Sequence, residues 1–523
     1  MKLNKYFFLA AFVINVSLVA AQPSIIPLPR EYKAVNDSFN LNHNVALVIS
    51  DPAFADEANY LQKEVLKLTG ITLAVQESKK SRSILLQRTA VKNAVTGSYN
   101  LRMSANEIVI SAADDEGAFN GISSLLQLVT SGKIVNGSVN IASWQIKDEP
   151  LYQWRGLMLD ESRHFFGKEK VKSLLDWMAF YKLNKFHWHL TDEPGWRIEI
   201  KKYPLLSLVG GIGNYTNPNT ISTFYTQEDI KEIVRYAAER KIEVIPEIDM
   251  PGHARAANRA YPEFSGGGSE KYPDFTFDPG NEGTYKYLTD ILREVNVLFP
   301  SKMIHLGGDE VSFGNQQWSK NKGIQKIMAA NNLKDLKDVE DYFMKRMADS
   351  LYKLNSKFLA WDEMANLSLP TDKTVIFWWR HDKPEQLKMA VDKNYSVVLC
   401  PRIPLYFDFV QDSSHAVGRK WKGDYAGLKN LYAFNGNGFV SKNKQNNVLG
   451  IQANVWTEVI ATPQRLDYMI FPRISALAEA AWTEKKDYKN YLDRLKNHLP
   501  LYKEAGIYFY DVFKPARYSE PEQ

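Results

Sequence analysis

The chain has 523 residues and a formal net charge of only +5, and 45% of its residues are hydrophobic. A charge balance this close to neutral gives no electrostatic case for nucleic acid or a charged membrane surface as a partner. A chain of this length and apolar content can form more than one domain, each with its own core.

The first residues have the pattern of a secretory signal. Lys2 and Lys5 precede an apolar run over residues 6–20, and small residues end it. We predict a signal peptide over residues 1–21. A membrane anchor is the alternative, but the run is short for crossing a bilayer, so no span is expected after cleavage. The signal predicts export, and the single cysteine, Cys400, excludes an internal disulfide. An exported chain without disulfides fits a bacterial periplasm or cell surface, or secretion by a bacterium, better than a lysosome or extracellular matrix. The sequence does not indicate an oligomeric state.

Residues 22–147 are predicted to form a smaller α+β domain. Short apolar runs with strand character, such as residues 46–49 and 107–110, alternate with helical patterns over residues 54–68 and 115–129. This segment lacks the clusters of acids and histidines that occur later in the chain. Its predicted role is therefore structural.

Residues 148–523 repeat one unit, a short apolar strand followed in most cases by a helical pattern. Eight strands are predicted, at residues 156–159, 185–190, 243–248, 303–306, 358–361, 375–379, 396–399 and 449–454. Helical patterns between them cover residues 168–181, 226–240, 282–298 and 339–354. Such alternation predicts a closed (β/α)8 barrel of the TIM type, and an open doubly wound sheet is the structural alternative.

The C-terminal ends of these strands carry acids, histidines and tryptophans, which is where a barrel places its active site. The most concentrated case follows strand four, where the run 303–306 ends in two glycines and the acids Asp309 and Glu310. Successive residues of an extended strand point to opposite faces, so both acids can serve one pocket only if the chain bends there. A loop with two solvated acids is the simpler interpretation of such a pair.

His305 to Glu310 resembles the signature of glycoside hydrolase family 20, the β-N-acetylhexosaminidases. Residues 155–165, 184–192 and 450–458 also resemble blocks of that family, in family order. The resemblance implies exo-acting hydrolysis of terminal β-linked N-acetylglucosamine or N-acetylgalactosamine, with retention and without a cofactor. In such enzymes the substrate's own 2-acetamido oxygen attacks the anomeric carbon and forms an oxazolinium ion.

The resemblance also implies roles for individual residues. Glu310 is expected to be the general acid and base, and Asp309 to hold the acetamido N–H. The remaining expected substrate-binding residues are Arg155, Asp192, His253, Trp361, Trp379, Tyr406, Asp408, Trp456 and Glu458. Arg155 and Glu458 are expected at the C3 and C4 hydroxyls, and Asp408 at C6. Trp379 is preferred to Trp378 as a wall because Arg380 follows it.

Two other functions remain open from the residues alone. His187 and His189 point to one face of a strand and, with His253, His305 and several acids, fit a metal-dependent amidohydrolase. A non-catalytic carbohydrate-binding protein would use the same aromatic residues. The family resemblance favours an enzyme with no metal, whose partner is a glycan ending in an N-acetylhexosamine.

Overall fold

A computed structural model describes residues 22–78 and 82–522. The predicted signal peptide lies outside the described residues. Within them, no helix combines the length and the apolar character that crossing a bilayer requires.

The N-terminal part is built on a mixed eight-stranded sheet. Its strands are β1 (Glu31–Leu41), β2 (Ala46–Ile49), β3 (Ala74–Gln76), β4 (Ser83–Arg88), β5 (Tyr99–Met103), β6 (Glu107–Ala112), β7 (Ile134–Val135) and β8 (Ser138–Asp148). They lie in the order β1-β8-β5-β6-β4-β2-β3, with β7 paired to β8. Parallel and antiparallel pairs occur together, as expected of an α+β domain.

Two helices, α1 (Ala55–Thr69) and α2 (Asp115–Thr130), accompany this sheet. Helix α2 is buried along almost its whole length, from Gly117 to Val129. One side packs on the sheet, and on the other Ser123 and Gln127 donate hydrogen bonds to the backbone carbonyls of Ala179 and Phe180. Since these carbonyls belong to the C-terminal part of the chain, α2 joins the sheet to the rest of the molecule.

A closed barrel of eight parallel strands follows, which confirms the predicted fold class. The strands are β9 (Trp154–Asp160), β10 (Lys185–His189), β11 (Glu243–Glu247), β14 (Met303–His305), β15 (Lys357–Trp361), β16 (Thr374–Trp378), β17 (Ser396–Leu399) and β18 (Val448–Val455). Strand β9 closes the ring by pairing with both β10 and β18. Strands β12 (Ser265–Gly267) and β13 (Thr276–Phe277) form a small separate sheet in the loop after β11.

Helices surround the barrel. They are α3 (Lys168–Phe180), α4 (Leu205–Leu208), α5 (Gln227–Ala238), α6 (Arg255–Ala260), α7 (Glu282–Leu298), α8 (Lys322–Asn331), α9 (Leu336–Lys353), α10 (Pro384–Asp392), α11 (Arg402–Leu405), α12 (Leu428–Tyr432), α13 (Pro463–Ile470), α14 (Arg473–Trp482) and α15 (Tyr488–Glu504). The three longest, α7, α9 and α15, start at side-chain caps, and in α5 Thr226 and Asp229 form a reciprocal capping box.

A buried ion pair ties the two parts of the molecule together. Lys182, just after α3, lies 3.2 Å from Asp148 at the end of β8, and neither side chain is exposed. Tyr99 and Trp482 also donate to the Asp148 carboxylate, at 2.8 and 2.9 Å. Because several donors share one buried carboxylate, this contact holds the N-terminal sheet in a fixed place against the barrel.

Candidate active site

The chain bends sharply where β14 ends. Gly307 and Gly308 have φ angles of 65° and 87°, and Glu310 itself has a φ of 53°. These left-handed conformations suit glycine, and a Cβ on Gly307 would lie 1.7 Å from an oxygen of Asp249. The bend turns two consecutive acids, Asp309 and Glu310, into the same cleft.

That cleft opens at the C-terminal ends of the barrel strands and has a volume of about 480 Å³. Its lining combines acids, cations and aromatic rings from seven of the loops that follow the strands, and Trp361 from the end of β15. The lining residues are Arg163, Tyr215, His253, Asp309, Glu310, Trp361, Trp379, Arg402, Tyr406, Asp408, Phe409, Arg419, Lys420, Trp421, Trp456, Glu458 and Val459. Such a mixture suits a sugar ring, which has apolar C–H faces and polar edges.

Four aromatic rings form continuous walls in the cleft. Trp379 stacks on Tyr406 with ring centroids 6.2 Å apart and an angle of 13° between the planes. Trp456 lies 5.9 Å from Trp361 and 6.3 Å from Tyr406. Two of the indoles are held by hydrogen bonds, from Trp361 to Glu247 at 2.9 Å and from Trp379 to Glu363 at 3.1 Å. Fixed indoles hold the walls in a defined shape before any ligand binds.

His253 links the two acids to a buried charge network. Its Nε2 lies 3.6 Å from Asp309 and 3.8 Å from Glu310, while its Nδ1 donates to Asp192 at 3.0 Å. Asp192 is also bound by His189 at 2.8 Å and by Arg163 at 2.6 Å. Three cationic donors therefore surround Asp192, and their joint effect exceeds the cost of burying it, so its pKa is held well below the usual range.

The protonation of the acids is set by their surroundings. Burial raises the pKa of Asp309 to about 7; His253 opposes this shift, and the neighbouring charge of Glu310 adds to it. Burial together with Asp309 raises the pKa of Asp249 well above its ordinary value. Burial alone would lower the pKa of His253, but Asp192 and Asp309 raise it well above normal. The cleft thus holds carboxyls that exchange protons near neutral pH, as acid-base catalysis requires.

Two carboxylates of the cleft lining share an arginine. Arg419 places its Nε 3.1 Å from Asp408 and a terminal nitrogen 2.5 Å from Glu458. Tyr215 also lines the cleft, and its backbone N–H donates to the carbonyl of Arg163 at 2.9 Å. About a third of the Glu310 side chain is exposed, so the general-acid candidate can reach solvent.

Comparison with known families now decides the class of the protein. The model described as glycosyl hydrolase family 20, catalytic domain, matches residues 152–485, and the one described as glycosyl hydrolase family 20, domain 2, matches residues 22–149. The chain belongs to glycosyl hydrolase family 20. The two matches fall on the barrel and on the N-terminal sheet, respectively.

Individual members of the family align with most of this chain. A β-hexosaminidase of Porphyromonas gingivalis is 34% identical over 92% of this chain, but the chain spans only 65% of that protein's length. A β-hexosaminidase of Vibrio furnissii is 33% identical and covers 88% of this chain and 76% of its own length. The solved exo-β-N-acetylglucosaminidase of Vibrio harveyi in complex with N-acetylglucosamine aligns with a TM-score of 0.86 at 33% identity, covering 94% of this chain and 79% of that one.

The structure brings nearly all the residues predicted from the family 20 resemblance to one cleft. Glu310, Asp309, His253, Trp361, Trp379, Tyr406, Asp408, Trp456 and Glu458 line it. Asp192 lies directly behind His253. Trp378 instead packs into the core around the barrel, with its indole N–H bonded to the carbonyl of Lys383; the ring in the cleft is that of Trp379.

Arg155 is the exception, and its predicted role in binding sugar hydroxyls is corrected. It is the second residue of β9 and lies at the N-terminal end of the barrel, opposite the cleft. Its guanidinium donates to Glu116 of α2 at 2.7 Å and to the carbonyl of Lys182 at 2.8 Å. Arg155 therefore joins the barrel to the N-terminal part, and Arg163, which follows the same strand, is the arginine in the cleft.

Among the residues missed in the sequence, Arg163, Arg419 and Trp421 line the cleft, and Glu363 accepts the hydrogen bond of the Trp379 indole. Arg163 follows β9 and could have been found, because strand ends of a barrel carry the site. Glu363 follows Trp361 directly, and burial raises its pKa well above normal. Arg419 and Trp421 lie on the long connection between α11 and α12, and no periodic pattern there indicates which side chains turn inward.

The histidines of the metal hypothesis surround Glu247 in the interior of the barrel. His187 and His305 lie 3.0 and 2.9 Å from its oxygens, and His189 lies at 2.6 Å. Ligand atoms of His187, Glu247 and His305 come close enough together to hold an ion, as do those of Asp249, His253 and Asp309. In the first group, Glu247 also accepts the Trp361 indole N–H, so its oxygens already have several partners.

Proposed function

We propose that this protein is an exo-acting β-N-acetylhexosaminidase that releases terminal β-linked N-acetylglucosamine or N-acetylgalactosamine from oligosaccharides and glycoconjugates. The observation that carries the proposal is the bend at Gly307 and Gly308, which presents Asp309 and Glu310 to one cleft lined by four tryptophans. We further propose that residues 1–21 direct export to the periplasm, the cell surface or the medium.

The arrangement of the two acids supports a substrate-assisted reaction. Acid and nucleophile of an ordinary glycosidase lie on opposite sides of the scissile bond, whereas Asp309 and Glu310 are adjacent in the chain and both lie near one nitrogen of His253. Asp309 is almost completely buried, while Glu310 is partly exposed. The buried Asp309 is therefore suited to binding a substrate group inside the pocket. The partly exposed Glu310 is suited to protonating the leaving group at the pocket opening.

In the first step the acetamido oxygen of the substrate attacks the anomeric carbon. Glu310 gives its proton to the glycosidic oxygen, the bond to the leaving group breaks, and an oxazolinium ion forms. The Asp309 carboxylate accepts a hydrogen bond from the acetamido N–H and stabilises the positive charge that develops on the oxazolinium ring. Tyr406 and the indoles of Trp361, Trp379 and Trp456 enclose the acetamido group and hold it close to the carbon that it attacks.

In the second step a water molecule replaces the leaving group. The carboxylate of Glu310 takes a proton from the water, the resulting hydroxyl bonds to the anomeric carbon, and the oxazoline bond to that carbon breaks. The amide is restored and Glu310 is again protonated. Two displacements at one carbon leave the β configuration unchanged.

The exo mode is supported by the charged group that Asp408, Glu458 and Arg419 form in the cleft lining. Two carboxylates and a guanidinium suit the free hydroxyls of a terminal sugar, and these hydroxyls are not all available on a sugar inside a chain. Single terminal sugars should therefore be released from a long chitooligosaccharide. Chromatography of early time points would contradict the proposal if internal fragments preceded the monosaccharide.

The experiment that tests the mechanism compares two aryl glycosides that differ only at C2, one with an acetamido group and one with a hydroxyl. The hydroxyl analogue should lose rate far more than affinity, because it lacks the nucleophile. NMR of the first product should show the β-anomer before mutarotation. Initial formation of the α-anomer, or a similar kcat for both substrates, would rule out the assisted reaction.

A further inference from the structure

Arg419 differs from every other cation of the cleft in what it contacts. Its guanidinium reaches both Asp408 and Glu458, at 3.1 and 2.5 Å, while about half of its side chain remains exposed. Asp408 is fully buried at the base of this contact. One planar group therefore connects two carboxylates that come from different loops, after β17 and after β18.

The other cations of the cleft are committed elsewhere. Arg163 binds Asp192 and lies over the ring of Trp456. Arg402 pairs with Asp382 and lies 3.9 Å over the ring of Trp421. The ammonium of Lys420 donates to the carbonyl of Ser413 at 3.0 Å. Among the arginines and the lysine of the lining, Arg419 is thus the one that contacts both Asp408 and Glu458.

The backbone holds Arg419 in this place. Its N–H donates to the carbonyl of Asp408 at 2.9 Å, and its own carbonyl accepts from Val410 at 3.1 Å. The preceding residue, Gly418, has a φ of 125°, and a Cβ there would lie 2.7 Å from the side chain of Val410. A glycine is therefore needed for the turn that brings the guanidinium between the two acids.

We infer that Arg419 is a specificity-determining residue, which holds Asp408 and Glu458 in the spacing and charge state that recognise the free hydroxyls at the C4–C6 end of the terminal sugar. The inference rests on the proposed function and extends it to the choice of sugar. Carboxylates accept from hydroxyls, and a guanidinium with exposed donors binds the hydroxyl oxygens, so together they select an unsubstituted polyol edge. A lysine cannot replace this planar fork, because its ammonium is a single point of charge.

The test crosses enzyme variants with substrate analogues. Arg419→Met, Arg419→Lys and wild type are assayed on the 4-nitrophenyl β-glycoside of N-acetylglucosamine and on its 4-deoxy and 6-deoxy analogues. Arg419→Met should lower kcat/KM for the parent about 10- to 100-fold, mainly through KM, since hydrogen bonds to charged groups are lost. For at least one deoxy analogue, the same substitution should lower kcat/KM by less than about threefold, because the hydroxyl that Arg419 helps to recognise is already absent. Arg419→Lys should recover only part of the loss.

Lys429→Met is the matched control, since Lys429 is an exposed cation on α12 outside the cleft lining; it should leave all three substrates unaffected. Equal losses on the parent and both deoxy substrates would mean that Arg419 has a purely structural role and would overturn the inference while leaving the proposed function intact. A wild-type enzyme that hydrolyses none of the glycosides would overturn both.

Discussion

His253 donates from Nδ1 to Asp192 across 3.0 Å, and its other ring nitrogen faces the two acids of the cleft. Asp192 in turn accepts from His189, whose second nitrogen is bound to Glu247 at 2.6 Å. Carboxylates and imidazole rings thus alternate from the barrel interior to the surface of the cleft. The negative charge of Asp192 raises the pKa of His253 against the effect of burial, and their hydrogen bond orients the ring towards Asp309 and Glu310.

Replacing Asp192 by Asn should therefore change both rate and pH dependence. The neutral amide no longer raises the pKa of His253, so the alkaline limb of kcat/KM should move to lower pH. A fall in kcat of about 10- to 100-fold is expected from the loss of a charged hydrogen bond. Circular dichroism checks the fold. An unchanged alkaline limb would show that the pKa of His253 does not determine the pH dependence of kcat/KM.

Glu310→Gln tests the general acid. The amide keeps the size of the side chain but cannot transfer a proton, a step worth about 10²–10⁴-fold in rate. The loss should be largest for a natural disaccharide and smallest for an aryl glycoside whose leaving group needs no proton. Glu263→Gln, at an exposed glutamate, is the control. Equal losses on both substrates would show that Glu310 does not protonate the leaving oxygen.

The pH dependence of the free enzyme follows from two buried carboxyls. Burial raises the pKa of both Asp309 and Asp408 to about 7, against opposing cations. Both are needed as ionised acceptors, so kcat/KM should fall as the pH decreases through about 7. The limb of kcat should lie at lower pH, because the substrate's N–H favours the ionised form of Asp309 in the complex. A kcat/KM limb near the ordinary value of about 4 would contradict these shifts.

The barrel could be predicted because most of its strands are short, mainly apolar runs with helical patterns between them. The strand predicted at residues 243–248 corresponds to Glu243–Glu247 in the structure. The bend after β14 was also indicated, since two glycines precede two acids. Arg155 was misplaced because the family resemblance outweighed topology: a residue at the start of a strand lies at the wrong end of a barrel. Arg419 could not be predicted, since its position depends on the path of an irregular loop.

The contact between the N-terminal sheet and the barrel should be sensitive to charge. Lys182→Met leaves Asp148 buried without its cation and should lower the free energy of unfolding by about 3–5 kcal/mol. Tyr99 and Trp482 remain as donors, which favours the lower end of this range. Urea unfolding measures the change, with Lys388→Met in an exposed ion pair as the control, where little effect is expected. A loss as small as that of the control would mean that the pair does not stabilise the interface.

Chelation distinguishes the glycosidase from a metal-dependent hydrolase. The group of Asp249, His253 and Asp309 could approach an ion with one atom each. Burial raises the pKa of Asp249 well above normal, and that of His253 is raised by Asp192 and Asp309 despite burial, which favours the protonated form of both groups, and an ion would have to displace these protons. An ion would also occupy the oxygen of Asp309 that is needed for the acetamido N–H. We therefore expect prolonged dialysis against a chelator to leave kcat and KM unchanged, with metal content followed by mass spectrometry. A loss of activity that zinc restores would instead assign catalysis to a metal held by these residues or by His187 and His305.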